Sequence, residues 1–302
     1  MDGILVVAKP AGPTSHDVVA LVRRLAGTRR IGHGGTLDPF ASGVLPLFLG
    51  AATRLVEYHL GDDKAYRATV CFGAASTTDD LDGELTPSAA PAPTREAVEV
   101  ALGALLGPQL QRPPAYSAIQ VGGRRAYAMA RSGETPDLKP RPVVLRSLEL
   151  REWNAGDPER PIAIVDVTCS AGTYVRALAR DLGSAVGSAA YLGALIRRRS
   201  GPFTEDDAHG LEALREAASA RGPAGIADLL LSADFGLERL PAVALTPAEI
   251  RDATQGRFVR PVAGVADTPE NVPLRLLDQA GAIVGIGRRD GRRIAPTKIL
   301  HR

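Results

Sequence analysis

One carboxylate stands in an unusual setting in Gly32-His33-Gly34-Gly35-Thr36-Leu37-Asp38-Pro39-Phe40-Ala41-Ser42-Gly43-Val44-Leu45-Pro46. Three glycines precede Asp38 and an apolar run follows it, a pattern unlike that of a regular helix. Glycines permit positive φ and the close approach of a ligand, and Pro39 biases Asp38 toward extended backbone. An acid presented in this way can, once ionised, act as a nucleophile or as a base. Asp-Pro and Gly-Gly also punctuate ordinary turns, so spacing alone leaves a structural turn equally open. No GxxxxGK[ST] sequence occurs, which sets a P-loop aside. A second candidate lies in Gly172-Thr173-Tyr174-Val175-Arg176. An arginine in the first turn of a helix faces the positive end of the macrodipole, so Arg176 asks for a carboxylate partner.

Several elements must position these groups. Residues 3–8 read as a short buried strand, broken by Lys9-Pro10-Ala11-Gly12-Pro13. Thr14 or Ser15 then caps a helix with Val18, Leu21, Val22 and Leu25 on one face. Residues 44–49 suit a buried strand and residues 51–60 a helix. Residues 64–72 alternate as a strand with Tyr66, Ala68, Val70 and Phe72 on one side, where Tyr66 by pattern alone is a core aromatic. Residues 77–83 superficially match a calcium loop, but its closing position falls on Ala89, which carries no acid. Thr94 opens a helix through Leu106, and residues 141–150 and 161–169 are further strands. Residues 170–183 form a strand-to-helix junction with Val175, Leu178, Ala179 and Leu182 buried and Gly183 ending the helix. Arg180, on another face, reads as a surface or local salt bridge. Residues 205–238 look helical. From Leu240 the chain is rich in Val, Gly and Pro, with short strands at 274–278 and 282–287 and a turn at Gly291.

GHGGTLDPFASGVLPL resembles the GHxGTLDPxAxGxL motif of the TruB-type tRNA pseudouridine synthases. LVVAKPAGPTS, DKAYRATVCFG, RPPAYSAIQVGGRRAY, GTYVRALARDLG and YLGALIRRRSGPF resemble further motifs of that family in the same order. The chain departs from the family pattern at Ala8, where an acid is more usual, at Gln120, where a lysine is common, and at Ile196 and Arg198. The resemblance implies an α+β fold: a catalytic domain over residues 1–238 with a mixed, mostly antiparallel central sheet flanked by helices, and a small PUA-like β domain over 239–302. It implies isomerisation of uridine to pseudouridine at position 55 in the T loop of tRNA, by base flipping and an aspartate-dependent mechanism. Asp38 is then the nucleophile, Arg176 its partner, and Tyr66 a stacking face whose hydroxyl can move the C5 proton. His33, Tyr174 and Leu195 join Tyr66 in binding the substrate. The resemblance implies no cofactor and no metal, because the reaction needs neither redox change nor an external group.

Composition agrees with a soluble globular chain, since 45% hydrophobic and 23% charged residues fit neither a disordered nor a membrane protein. The apolar run at the N-terminus is far too short for a signal segment or a spanning helix, so a cytoplasmic protein without membrane attachment is expected. Cys71 and Cys169 form no CxxC or Cys/His cluster and read as buried small hydrophobes. Net charge is only +2, but residues 240–302 carry ten Lys/Arg against six Asp/Glu. Arginines also cluster at 23–24, 29–30, 124–125, 197–199, 288–289 and 292–293, which suggests a basic track for phosphates. The expected partner is the T arm and T loop of tRNA, held by a monomer with no obligate protein partner. Two other readings stay open: a synthase of the guide-RNA-particle type, which the lack of a long basic extension disfavours, and an RNA chaperone whose catalysis is secondary.

Overall fold

The structure is a computed structural model that describes residues 1–117, 119–262, 265 and 268–300. Ala118, within the run at residues 112–127, and the last two residues of the expected second domain lie outside that set. The chain opens with β1 (Gly3–Lys9), α1 (Ser15–Leu25), β2 (Ile31–His33) and β3 (Ser42–Leu49). A 3-10 turn at Gly50–Arg54 leads to the single turn α2 (Glu57–Leu60), β4 (Lys64–Phe72) and a hairpin of β5 (Ala74–Ser76) and β6 (Leu85–Pro87). Then come α3 (Arg95–Ala104), β7 (Gly107–Gln111), a hairpin of β8 (Gln120–Val121) and β9 (Arg124–Arg125), and α4 (Ala126–Arg131). The long strand β10 (Arg141–Asn154) pairs with β11 (Ile162–Cys169), and α5 (Val175–Ala185) follows. Next are β12 (Ala190–Ser200), β13 (Phe203–Thr204), β14 (His209–Gly210), α6 (Leu211–Arg221) and α7 (Pro223–Ala227). The rest comprises β15 (Ala242–Ala244), α8 (Pro247–Thr254), β16 (Pro273–Leu277), β17 (Ile283–Asp290) and β18 (Arg293–Ile299).

Ten strands make one mixed sheet with main order β14-β1-β3-β12-β4-β11-β10-β7, β2 lying beside β3 and β13 beside β12. Only the β1–β14 and β3–β12 pairs are parallel, so the sheet is mixed and mostly antiparallel, as expected. Local chemistry explains the helices that cover it. Thr14 and Asp17 form a reciprocal capping box that starts α1, and Thr94 accepts from Ala97 N to start α3. Their apolar stripes, with Val175, Leu178, Ala179 and Leu182 of α5, pack on one sheet face against Leu45, Leu47, Ala68, Val70 and Phe72. On the other face Ile4, Val44 and Phe48 meet Phe203 and Phe235.

Some expectations are corrected. Residues 51–60 are not one helix but a 3-10 turn over Gly50–Arg54 and one α turn over Glu57–Leu60, whose Leu60 end is exposed. Residues 205–238 hold two short helices separated by Gly222 at φ 61°, not one helical stretch. Gly183 lies inside α5, and the helix ends near Gly187 at φ 69°. Gly183 is there for contact: a Cβ would stand 2.4 Å from Ala190 N at the start of β12. The cysteines are free, as expected, though Cys71 is only half-buried.

The second sheet, β15-β16-β17-β18, has its own core of Leu245, Val259, Leu274, Leu276 and Ile294. An apolar seam joins it to the larger part, with Ala51, Leu55 and Leu237 against Ile283, Ile286 and Leu300. A partly buried ion pair, Arg275–Asp234 at 3.1 Å, lies beside that seam. Among the described residues no helix is long and apolar enough to cross a membrane.

Candidate active site

The loop between β2 and β3 is tied down carbonyl by carbonyl. Buried Ser15 donates its hydroxyl to Leu37 O at 3.0 Å and accepts from Leu37 N at 2.9 Å. Lys9, only 1% exposed, donates to Pro39 O at 3.2 Å and to Pro10 O and Pro13 O at 2.9 and 2.7 Å. Arg197, equally buried, donates to Val44 O at 2.7 Å, Gly35 O at 3.1 Å and Thr36 O at 3.4 Å. These donors satisfy loop carbonyls, and the buried charges of Lys9 and Arg197 are tolerated because the hydrogen bonds are made. The parallel pairing of β3 with β12 sets Gly43, at φ 107°, against Arg197 O, where a Cβ would approach to 2.2 Å. Asp38 therefore projects from a fixed frame.

Arg176 meets it from the first turn of α5. Its Nε lies 3.0 Å from Asp38 Oδ2, an ion-pair distance off the line of a hydrogen bond, and Nη2 reaches Oδ1 at 3.5 Å. The guanidinium is shared: Nη1 lies 3.2 Å from Asp80 Oδ2 and donates to Thr78 O at 3.1 Å, and Nη2 donates to Tyr116 O at 3.0 Å. Burial pushes the Asp38 carboxyl above its ordinary value; Arg176 opposes that rise, and the nearby Asp80 and Asp82 charges reinforce it. The arginine partner expected from the sequence is thus present, but it does not win over burial.

Asp38 and Arg176 open into a cavity of about 350 Å³ whose lining includes Tyr66, Tyr116, Ser117, Tyr174, Leu195 and Arg197. Tyr66 sits on β4 opposite Arg197 in β12, and burial raises the pKa of its phenol while the Arg197 charge opposes. The Tyr174 phenol is likewise raised by burial, and Gln111 holds that residue's backbone on both sides, at 2.8 and 3.1 Å. Leu195 is buried at the cavity wall. His33 is near but does not line the cavity: its Nδ1 accepts from Gly35 N at 3.3 Å, and burial, with help from Arg197, lowers its pKa. The structure therefore brings Asp38, Arg176, Tyr66, Tyr174 and Leu195 to one cavity and leaves His33 at the end of β2, outside the cavity lining.

Three participants escaped the sequence reading. Asp80 lies in the turn read as a poor calcium loop, yet it is buried against Arg176; the signal was an arginine with more donors than one acid can use. Arg197 was grouped with a surface basic track, but strand alternation puts it inside with Leu195 while Ile196 and Arg198 face out. Ser117 is buried at the cavity wall, where its hydroxyl faces the Tyr174 phenol. Other members of the proposed basic track are also engaged, Arg124 with Glu134, Arg198 with Glu205 and Arg293 with Asp290. Among the described residues no group of three or more His, Cys, Asp or Glu side chains is arranged to hold a metal ion.

One acid, a shared arginine and three tyrosines at a cavity on a mixed sheet define an enzyme site built for chemistry at a carboxylate. Residues 23–175 match the model of the TruB family pseudouridylate synthases, N-terminal domain. The chain is 44% identical over 275 residues to a tRNA pseudouridine synthase B of Arthrobacter sp. (strain FB24), covering 89% of this chain and 86% of that one. It is 43% identical to the protein of the same name from Parasynechococcus marenigrum (strain WH8102), covering 95% and 93% of the two chains. The chain belongs to the TruB family of pseudouridylate synthases and is an isomerase. The fold is shared with a chain of the crystal structure of a Cbf5-Nop10-Gar1 complex, at TM-score 0.73 and 24% identity, covering 99% of this chain and 85% of that one.

Proposed function

We propose that this protein converts uridine to pseudouridine at position 55 in the T loop of tRNA, with the target base flipped into the Asp38 cavity. The relatives named above as tRNA pseudouridine synthase B support tRNA as the substrate. The observation that carries the reading is the Asp38–Arg176 pair facing a cavity with Tyr66, Tyr174 and Leu195 on its walls. A base cannot reach that carboxylate while stacked in a loop, so it must leave the stack.

In this mechanism ionised Asp38 is the nucleophile: its oxygen bonds to C1′ as the bond from C1′ to N1 breaks, the held base turns, and C5 bonds to C1′ as the Asp38–C1′ bond breaks and frees the carboxylate. The C5 hydrogen is released as a proton and N1 takes one up, so atoms balance without a co-reactant. Arg176 stays protonated throughout and, because its donors are shared among four acceptors, keeps Asp38 available instead of quenching it. Tyr66 offers its ring for stacking; with its pKa raised, the phenol stays protonated at neutral pH and presents a donor to the base. The backbone bond from Gly35 N to His33 Nδ1 leaves Nε2 as the proton-bearing nitrogen of the neutral ring, directed to an RNA contact outside the cavity. We assign residues 1–238 to catalysis and 239–302 to a PUA-like RNA-binding domain that helps hold the T arm by backbone and shape.

Tritium release from a [5-³H]uridine-labelled tRNA transcript tests the proposal. Wild type should release tritium, whereas Asp38→Asn and a transcript lacking the T-loop target uridine should not. A purified wild type that binds tRNA but releases none would overturn the assignment and leave RNA binding alone.

A further inference from the structure

Helix α5 carries a second arginine one turn beyond Arg176, and its contacts repeat the pattern of the first. Arg176 reaches Asp80 in the 77–83 turn and the Tyr116 carbonyl in the segment after β7. Arg180 reaches Asp79 Oδ2 at 2.7 Å in that same turn and the Arg112 carbonyl at 2.8 Å in that same segment. It is braced on its neighbour Asp181, to whose Oδ1 Nε and Nη2 donate at 3.0 and 2.8 Å. Two arginines on one helix therefore fasten two distant stretches of chain at adjacent points. A planar guanidinium with five donors can do this, whereas a single ammonium cannot span the same set.

The turn is one that needs holding. Asp79 stands at φ 62°, a left-handed conformation that few residues other than glycine adopt, and its carbonyl accepts from Leu192 N at 3.0 Å. Its neighbour Asp80 is the group that shares Arg176 with Asp38. Beyond the Arg180 contacts a cleft of about 400 Å³, lined by Thr77, Asp79, Arg112, Pro113, Thr135 and Asp137, opens between the turn and the segment. Arg180 itself lines that cleft and spans it from Asp79 to the Arg112 carbonyl. Arg180 does not line the Asp38 cavity and cannot touch a base held in it.

We infer that Arg180 is a positioning residue for the isomerisation: it fixes the Asp79–Asp80 turn and the stretch from Arg112 to Tyr116 against α5, so that Arg176 meets Asp38 in register. The inference rests on the isomerase reading above. Displacing Arg176 by a fraction of an ångström costs rate and leaves the RNA-binding surfaces in place.

The test is single-turnover tritium release, with tRNA affinity measured by filter binding, for wild type, Arg180→Met, Arg180→Lys, Asp79→Asn and the Arg180→Met/Asp79→Asn double variant. The rate should fall ~10-fold for Arg180→Met and ~3-fold for Arg180→Lys, with Kd unchanged. The double variant should be no slower than the slower single variant, because both act through one contact. A wild-type rate in Arg180→Met, a rate loss matched by an equal loss of affinity, or fully additive losses in the double variant would each overturn the inference. The wild-type lane separates the two readings: release by wild type keeps the isomerase assignment whatever the variants do, and its absence removes both.

Discussion

Asp166 on the outer face of the sheet and Asp38 in the cavity are both carboxylates held by arginine, and they end in opposite electrostatic states. Asp166 accepts from Arg67 Nε and Nη2 at 2.8 and 2.9 Å and from Arg151 Nε at 2.7 Å. Those aligned bonds, Arg67's first, hold its pKa well below the ordinary 3.8, at about 2. Asp38 has one arginine, joined by a long hydrogen bond from Nη2 and an off-line contact from Nε and divided with Asp80, Thr78 O and Tyr116 O, and burial raises its pKa. The difference teaches what separates a structural ion pair from a reactive one. Three aligned hydrogen bonds from two arginines satisfy an acid and make it inert, even though Arg151 also pairs with Glu149 at 2.9 Å, whereas one buried arginine with a single long bond orients an acid and leaves it an appetite for another partner.

The largest break in that comparison comes from removing each acid. Asp38→Asn should lower single-turnover tritium release by ~10³-fold or more, while Asp166→Asn should stay within about twofold of wild type. Next in size is Arg176→Lys, which keeps the charge but cannot serve four acceptors. Its rate should drop ~10²-fold with tRNA affinity retained, and equal rates for Lys and Arg would show that charge alone suffices. A smaller effect concerns pH. The acid limb of the wild-type rate should lie above the ordinary carboxylate range, since Asp38 must ionise and its pKa is raised. Asp80→Asn removes a charge that contributes to the rise, so the limb should move to lower pH; a limb that stays put would show that burial alone sets it.

The smallest expected effect is on stability, where the two acids again differ in sign. Asp166 has a depressed pKa, so its contribution is present above 3.8 and is lost as pH falls toward about 2. Asp166→Asn should therefore cost about 1 kcal/mol in urea titrations at pH 7, a modest value because the group is partly exposed, and almost nothing near pH 2. Asp38 has a raised pKa, so stability falls as pH rises from the ordinary 3.8 through that raised value and stays lower above it. Asp38→Asn should leave stability at neutral pH unchanged or slightly higher even though it abolishes activity.

Local chemistry decided which parts were legible from sequence. The capping residues Thr14 and Thr94, the alternation along β4 and the apolar runs of β1 and β3 each specify their element through neighbours a few positions away. Asp38 was legible through the resemblance of GHGGTLDPFASGVLPL to a family motif, its spacing alone leaving a structural turn equally open, and Arg176 because a first-turn arginine asks for a carboxylate and GTYVRALARDLG resembles a further motif. Asp80, Lys9 and Arg197 were not, because what makes them matter is burial created by contacts across 96, 30 and 162 positions. Gly183 misled for a related reason: a helical glycine suggests a cap, but here its purpose is contact with Ala190 in the next strand.

The apolar seam between the two sheets has a further consequence, for cooperativity. Leu55 and Leu237 pack with Ile283, Ile286 and Leu300 as well as with Ala51 of their own part, and Asp234 pairs with Arg275. Cutting the chain at residue 238 would leave that apolar surface facing water and that carboxylate without its counter-ion. The two sheets therefore melt as one unit, and denaturant should report a single transition whose slope reflects the whole chain and not two steps of unequal size.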